Sequence, residues 1–441
     1  MISSQQTAEN AFPESQNSSR GWTCFLIGLA MLPVSTVIFL FCWLFALLFE
    51  WRGLARLGTH GLGRWLLIVS ALLTVMCAFS YRPQDSLVGL FNYLPFFLFF
   101  GLTLRLVTSQ ERIAQVIQVA VASGLITGLA GTFEWFSGVN WWWEPIPGVI
   151  LLVIGSPQEA GILERVTSFF GWPTSAATFF LMLMPLLISS MLAKTPKGAS
   201  ALYAYSTLIS MGIALIGTAS RNAWGIALLA CGSLLIVGRR FWLFAALLLV
   251  TIAILISGLG SAQSPVVDAL RHVVPPVFWQ KVSASVQTGT SSYESLNNRY
   301  DAWHIAWDMT QKRPLTGWGL QTFPVVEKEV YGRKADTLLH AHNLYLTYTA
   351  ETGIPTALVL ISFYVWTLIQ GIRSTFKMPP GIERWQLIGL LTALSAYLLF
   401  GISDVPFYDA RINALIWVWM ALIWRHAQLI EVASPPKSPH A

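Results

Sequence analysis

Long apolar runs, separated by short polar segments, recur along almost the whole chain. They lie at about 22–49, 64–80, 87–104, 113–133, 173–193, 202–218, 223–238, 241–259, 354–372, 385–402 and 410–424. A run of about 20 apolar residues matches the thickness of the hydrocarbon core of a bilayer. Backbone groups inside that core must be hydrogen-bonded within the segment, which favours helices. The sequence therefore predicts an all-α polytopic membrane protein.

Composition supports this prediction. Hydrophobic residues make up 55% of the 441 residues, and charged residues make up 11%, against roughly 25% in a soluble domain. The net charge is +6, but the basic residues separate the apolar runs and form no dense tract, so nucleic acid is not an expected partner. Neither a disulfide framework nor a cysteine metal site is expected, because every cysteine lies inside an apolar run: Cys24, Cys42, Cys77 and Cys231.

The first apolar run, 22–49, is too long for one ordinary crossing and contains Pro33-Val-Ser-Thr36 near its middle. We expect two short helices joined by a tight turn, which gives about twelve spans with both termini in the cytoplasm. Every short inside segment is then basic, as the positive-inside rule requires. These basic residues are Arg20, Arg52, Arg56, Arg64, Arg105, Arg112, Lys194, Lys197, Arg239, Arg240, Arg373, Lys377, Arg384, Arg425 and Lys437.

The spans divide the chain into five parts. They are a disordered cytoplasmic tail at 1–21, nine transmembrane helices within 22–259 with an outside loop at about 134–172, a large outside loop at 260–353, three transmembrane helices within 354–425, and a second tail at 426–441. Long loops are usually functional, and both of these lie on the same side of the membrane. We therefore expect the functional site on that side.

Two arginines in the outside connections are candidates for an anion site. Arg221 lies in a turn of very few residues between two spans, where a cation needs an anion or open water. Arg165 lies just before the span that begins at Pro173. The alternatives are snorkelling of Arg221 to lipid phosphate and a salt bridge between Arg165 and Glu164 or another acidic residue of the loop.

The large loop contains one clear amphipathic helix. Asn297 or Asn298 can cap its start, and Pro314 lies just past its end. Its apolar stripe suits a helix resting on the membrane; the stripe comprises Leu296, Tyr300, Trp303 and Trp307. Arg299 would then sit at the helix start, facing lipid headgroups. The glycines Gly317 and Gly319 follow in a turn where a ligand or backbone can come close.

The segment His340-Ala-His-Asn-Leu-Tyr345 carries the strongest candidate for acid–base chemistry. A helix beginning near His342 would place its imidazole beside the positive end of a helix dipole, where the uncharged form that a general base needs is favoured. The alternatives are an ordinary interfacial histidine and a metal site using His340 and His342. No nearby Asp, Glu or Cys spacing supplies a third ligand, so we predict no metal.

Several motifs together resemble the signature region of the O-antigen ligase and polymerase superfamily. They are Arg299-x₃-Trp303, Pro314-x-x-Gly-x-Gly319, Ala341-His-Asn-x-Tyr-Leu346, Glu351-x-Gly353, Thr218-x-Ser220-Arg221, and Arg165 with Phe169-x₃-Pro173. The resemblance spans nearly the whole chain. One departure is Pro355, where relatives often have another glycine.

The resemblance implies a bacterial inner-membrane O-antigen ligase with a membrane-embedded, GT-C-like glycosyltransferase fold and a periplasmic active site. Such an enzyme moves a polysaccharide from undecaprenyl diphosphate to lipid A–core oligosaccharide without a cofactor or metal, inverting the anomeric carbon. His342 would be the general base, and Arg165, Arg221 and Arg299 would hold the diphosphate, with Arg221 also catalytic. The motif residues expected to support the site are Trp303, Gly317, Gly319, Asn343, Tyr345 and Glu351.

Three other functions remain open. An O-antigen polymerase uses the same donor but a second lipid-linked glycan as acceptor, and protein O-oligosaccharyltransferases are also related. In a flippase or transporter, the arginines would line a conduit for lipid phosphates. That alternative is less favoured, because the central spans are nearly free of charge and no internal repeat is evident. Membrane lipids are expected partners under every alternative.

Overall fold

The computed structural model describes residues 16–57, 61–146, 151–155, 165–261, 263–332 and 338–433. The helices within these ranges are α1 (Gln16–Met31), α2 (Thr36–Leu57), α3 (Gly61–Ala78), α4 (Pro83–Gly89), α5 (Leu94–Leu106), α6 (Gln110–Ser137), α7 (Pro173–Ala193), α8 (Ala199–Gly217), α9 (Arg221–Val237), α10 (Phe241–Leu259), α11 (Pro265–Val273), α12 (Pro276–Ser283), α13 (Ser291–Lys312), α14 (Phe323–Glu329), α15 (Leu344–Lys377), α16 (Ile382–Phe400) and α17 (Ala410–Ala433). Single 3₁₀ turns cover Leu90–Asn92 and Pro406–Tyr408, and strands β1 (Trp141–Trp143) and β2 (Leu152–Ile154) form a small antiparallel hairpin.

Eight helices in the described part of the chain are long and apolar enough to cross a membrane. They are Thr36–Leu54, Gly61–Ala78, Pro83–Leu106, Gln110–Ser137, Pro173–Ala193, Ala199–Gly217, Phe241–Leu259 and Leu344–Lys377. Arg221–Val237 is apolar but shorter. The predicted class, an all-α polytopic membrane protein, is thus confirmed. The predicted number of spans stays a prediction, because α1 is only 16 residues long and α16 and α17 carry charged residues near their ends.

The predicted break within 22–49 is present, since α1 ends at Met31 and α2 begins at Thr36. The outer boundaries differ from the prediction. Helix α1 begins at Gln16 instead of 22, and α17 continues to Ala433, beyond 425. The rest of both predicted tails, 1–15 and 434–441, lies outside the described residues.

Helix α17 lies at the centre of the bundle, and its residues 412–424 are all buried. Trp417 packs edge-on against Phe97 and Phe100 of α5. The indole Nε1 of Trp424 donates a hydrogen bond to Thr367 Oγ1 of α15 (3.0 Å). Aromatic packing of this kind is worth about 0.5–1.5 kcal/mol per pair beyond the buried area, so α17 gives a fixed frame for the segment that precedes it.

The connections that carry the sequence motifs meet at one end of the bundle. The Val166 N–H donates to Gly217 O (2.9 Å), which joins the segment before α7 to the end of α8. The Leu344 N–H donates to Gly401 O (2.7 Å), which joins the start of α15 to the end of α16. Segments far apart in sequence are therefore adjacent at this end.

The helix of the large loop begins earlier than predicted. Helix α13 begins at Ser291, so Asn297 and Asn298 lie inside it and cannot cap it. Arg299 lies beyond its second turn and not at its start. Pro314 follows the helix end at Lys312, as predicted.

The face that α13 buries also differs from the predicted stripe. It buries small or flexible residues, Ala302, Ala306 and Met309, in a cluster with Trp318 and Phe323. In the predicted stripe, Tyr300 and Trp307 are more than half exposed. The small side chains let the helix approach its neighbours closely, and this close packing decides which face is buried.

Candidate active site

A cavity of about 890 Å³ opens at the end of the bundle where these segments meet. Its lining includes Arg165, Arg299, Gln321, His340, His342, Asp404, Tyr408, Asp409 and Arg411. The residues come from several different parts of the chain. Of the predicted site residues, Arg165, Arg299 and His342 line the cavity, whereas Arg221 lies outside its lining.

Arg165 belongs to a loop that is fixed from three sides. Its Nε donates to Thr218 O (2.8 Å). The buried carboxylate of Glu134 accepts the Thr167 and Ser168 N–H groups at 3.0 and 2.6 Å. The guanidinium of Arg411 donates to the carbonyls of Phe169 (2.8 Å) and Phe170 (3.0 Å). Arg165 is thus tied to the turn before Arg221, and Glu164 lies outside the described residues.

Arg221 is the first residue of α9, and the turn before it is strained, since Ala219 has φ 51°. A cation at a helix start meets the positive end of the helix dipole. Its Nη1 donates a hydrogen bond to Ser285 Oγ. Burial lowers the pKa of Arg165, and the positive charges of Arg299 and Arg221 lower it further. The three arginines therefore lie close enough to repel one another, and such a cluster attracts an anion.

Arg299 reaches the cavity from the middle of α13. Its Nε is buried and has no hydrogen-bond partner among the described residues. A buried donor without a partner costs roughly 1–3 kcal/mol. A guanidinium left in that state beside two other arginines suits a bidentate anion such as a phosphate.

The backbone of His342 is held in an unusual conformation, with φ 48°. A non-glycine residue there costs of order 1–3 kcal/mol and persists only where its surroundings enforce it. Here the His342 N–H donates to His340 Nδ1 (3.1 Å), and the Trp303 indole donates to His342 O (3.2 Å). Trp303, a predicted supporting residue, thus fixes the backbone of the candidate base.

Asp404 is the acidic partner of both histidines, and the sequence reasoning did not find it. Its Oδ1 lies 3.4 Å from His342 Nδ1 and 3.8 Å from His340 Nε2. Burial alone would raise the pKa of this carboxyl, but His342, His340 and Arg299 together outweigh burial and lower that pKa below its usual value. Asp404 is therefore an anion at neutral pH and faces Nδ1 of His342.

Two motif residues hold the segment that carries Asp404. Asn343 caps α15, because its Oδ1 accepts the N–H groups of Tyr345 and Leu346 (both 3.0 Å). Its Nδ2 donates to Ile402 O (2.9 Å), and the Tyr345 hydroxyl donates to Leu398 O (2.9 Å). The motif around His342 thereby fixes the position of Asp404.

Glu351 also supports the site without lining the cavity. It is buried, and its Oε1 accepts a hydrogen bond from the Tyr408 hydroxyl (3.0 Å). The Tyr408 ring stacks on His340, with 5.7 Å between centroids. The close approach expected at the glycines is made by backbone at Gly317, which has φ 67° and lies against the main chain of Glu351 and Gly353. At Gly319, with φ 113°, side chains come close.

The expectation that no third metal ligand exists near His340 and His342 is wrong, since Asp404 places an oxygen within 4.8 Å of both imidazoles. The hydrogen bonding of His340 nevertheless disfavours a metal. Its Nδ1 accepts the His342 N–H, so the neutral ring carries its proton on Nε2, the atom that would face the ion. A metal-bound histidine instead donates through its second nitrogen. Burial also lowers the pKa of His340 to about 4, so this ring is uncharged.

Asp404, Tyr408, Asp409 and Arg411 are among the cavity residues that the sequence reasoning missed. They share one connection, Ser403-Asp404-Val405-Pro406-Phe407-Tyr408-Asp409, and the helix start that follows it. Two aspartates in a short break between apolar runs are unusual in a chain with so few charges. The two closely spaced aspartates were the feature from which the sequence could have predicted that this connection contributes to the site.

The helical bundle and the arginine–histidine cavity at one end define a polytopic membrane protein with an anion-attracting site. Residues 206–361 match a family model described as O-antigen ligase. This match supports membership of the segment in the O-antigen ligase family, a family of membrane glycosyltransferase-type enzymes that includes ligases and polymerases. It confirms the resemblance seen in the sequence for this part of the chain. No curated protein matches the chain. Arg221, Arg299, His340, His342 and Glu351 fall inside the matched segment, and Arg165 and Asp404 fall outside it.

Proposed function

We propose that this protein is an O-antigen ligase. It transfers a polysaccharide from undecaprenyl diphosphate to a sugar hydroxyl of lipid A–core oligosaccharide, and it does so on the periplasmic side of the bacterial inner membrane. One observation carries the proposal: Arg165, Arg299 and the His342–Asp404 pair line the same cavity. These groups are the ones that a diphosphate leaving group and a hydroxyl nucleophile require.

The arginines act on the donor. The C1–O bond to the diphosphate breaks with its electrons going to the phosphate oxygen, so negative charge develops there. Arg165 and Arg299 contact the diphosphate, and Arg221 supports it from the adjacent turn. Fixed cations aimed at developing charge stabilise a transition state without a divalent ion. The repulsion among the three cations is relieved when the anion binds.

His342 acts on the acceptor. With Nδ1 facing Asp404, Nε2 is the nitrogen that takes the proton from the attacking hydroxyl. Asp404 orients the ring and stabilises the imidazolium that forms. The hydroxyl oxygen bonds to C1 opposite the leaving diphosphate, so the anomeric configuration inverts. His340 is less suited to this role, because its Nδ1 already accepts a hydrogen bond and its Nε2 faces Asp404.

We place this chemistry in a twelve-span, GT-C-like bundle. The eight long apolar helices and the shorter helix Arg221–Val237, together with α1, α16 and α17, would make the twelve crossings. The connections at the end opposite to the cavity are basic, for example Lys194 and Lys197 between α7 and α8. Under the positive-inside rule that end faces the cytoplasm, which puts the cavity on the periplasmic side.

A transfer assay with purified protein tests the proposal. The donor is a lipid-linked glycan, offered with either rough lipopolysaccharide or a second lipid-linked glycan as acceptor. Glycosylation of the lipopolysaccharide would support the ligase function. The same yield in the presence of EDTA would support the metal-independent mechanism. Elongation of the second lipid-linked glycan would identify a polymerase instead. Loss of activity in EDTA that Mg²⁺ or Mn²⁺ restores would refute the metal-independent mechanism.

A further inference from the structure

A second cavity, of about 580 Å³, lies between α6, α7 and α8 at the end of the bundle opposite to the candidate active site. Its lining includes Ile117 of α6, Lys194 at the end of α7, and Tyr203 and Ala204 of α8. These side chains are mostly apolar, and the cavity lies between helices apolar enough to cross a membrane. A groove there faces acyl chains and not water.

The sequence explains why the helices separate at this point. Nearer the active site, Gly124, Gly128 and Gly131 of α6 let α8 approach closely, since a Cβ on Gly128 would come within 2.8 Å of Ser210 Oγ. Toward the other end, larger residues such as Ile117 and Tyr203 replace the glycines. The helices therefore pack closely in one half and are held apart by bulky side chains in the other. The second cavity is the wedge-shaped space that this leaves between them.

Positively charged side chains at the open end of the wedge indicate what kind of molecule it binds. Lys194 lines the cavity at the end of α7, and Lys197 follows in the same connection; both are exposed. The connection contains no acidic residue. Basic pockets between membrane helices suit anionic lipid headgroups, because each lysine or arginine near the surface attracts the headgroup phosphate. An apolar wedge with lysines at its mouth thus matches one acyl chain below one phosphate.

We propose that this groove binds an anionic glycerophospholipid in the leaflet opposite to the active site. One acyl chain fills the wedge, and the headgroup phosphate contacts Lys194 and Lys197. The same helices position the active site at their other ends, since Glu134 of α6 holds the Arg165 loop and α8 leads into the turn before Arg221. The lipid therefore stabilises the helix pair that supports the arginine cluster.

The test compares two lipids with identical acyl chains, phosphatidylglycerol and phosphatidylcholine, added to the purified protein in detergent. Phosphatidylglycerol is expected to give a one-to-one adduct in native mass spectrometry and a larger, concentration-dependent rise in Tm. Lys194→Gln should lose that excess rise. Lys377→Gln, at an exposed lysine on the same end but outside the groove, should keep it.

A second variant tests the apolar part of the site. Ala204→Phe fills the wedge and should remove the phosphatidylglycerol adduct. Equal stabilisation by the two lipids would overturn the proposal, and so would an equal loss in Lys194→Gln and Lys377→Gln. Because neither measurement uses glycan transfer, these results are independent of the proposed enzymatic function.

Discussion

The imidazole of His342 faces the carboxylate of Asp404, with 3.4 Å between Nδ1 and Oδ1, although the two residues precede different helices. The capping residue Asn343 connects them, because it begins α15 beside His342 and donates to Ile402 O, two residues before Asp404. A base and its orienting acid are thereby fixed by one side chain. This arrangement gives the most specific predictions.

The first prediction concerns Asp404→Asn. The variant keeps the size of the side chain but loses the charge that orients His342 and stabilises its protonated form. We expect kcat to fall, by less than the roughly 10²–10⁴-fold loss typical of removing a general base, with donor KM little changed. Steady-state transfer kinetics measure both values.

A double variant that combines Asp404→Asn with His342→Ala shows whether the loss of Asp404 acts through His342. If Asp404 acts through His342, the double variant is no slower than His342→Ala alone. Independent, multiplying losses would contradict a positioning role. Asp268→Asn, at an exposed aspartate on α11, is the control for removal of one carboxylate and should leave kcat unchanged.

The second prediction concerns the arginine cluster. Arg221→Ala and Arg299→Ala should each raise donor KM and lower kcat, because an interaction with diphosphate strengthens as charge develops on it. A charge-assisted hydrogen bond contributes about 1.5–3 kcal/mol, so kcat/KM should fall roughly 10- to 150-fold for each hydrogen bond removed. Steady-state kinetics with varied donor concentration measure the change.

Lysine replacements separate charge from geometry. Arg221→Lys keeps the charge but loses the planar fork, so partial activity at most is expected. Arg82→Lys alters an exposed arginine paired with Glu329 and should behave as wild type. Full activity in Arg221→Lys would mean that only the charge matters at that position.

The third prediction concerns stability. Arg411 pairs with Asp409 (2.8 Å) and donates to two loop carbonyls. Arg411→Ala leaves the largely buried carboxylate of Asp409 without its cation, and losing the partner of a buried ion pair typically costs about 3–5 kcal/mol. Unfolding in detergent, followed by tryptophan fluorescence, should show a clear fall in Tm. Adding Asp409→Asn should recover part of the loss, and purely additive losses would argue against the pair.

The sequence predicts the parts of this site that depend on local motifs, but not the contacts that depend on how distant helices pack. The motif around His342 and the three arginines could be identified because all of them lie in the polar connections that the sequence places on one side of the membrane. Asp404 could not be paired with His342, since their proximity depends on how α15 and α16 pack and not on local spacing. The start of α13 was predicted too late, because Asn297 and Asn298 are good capping residues, whereas the helix begins at Ser291 and continues through both of them.

The fourth prediction concerns topology. Lys328 is exposed in α14 beside the active-site end, and Lys197 is exposed at the opposite end. In a background with the four native cysteines replaced by alanine, Lys328→Cys should react with a membrane-impermeant thiol reagent added from the periplasmic side. Lys197→Cys should react only after the membrane is permeabilised. Labelling of both in intact spheroplasts would refute the proposed orientation.

The central claim is that His342 removes the proton from the acceptor hydroxyl. The most direct measurement is single-turnover transfer by purified protein preloaded with lipid-linked glycan, started by adding rough lipopolysaccharide. His342→Ala should bind donor as wild type does but transfer glycan roughly 10²–10⁴-fold more slowly, whereas His340→Ala should lose less. Near-normal transfer by His342→Ala would contradict the claim, as would His340 being the essential histidine of the pair.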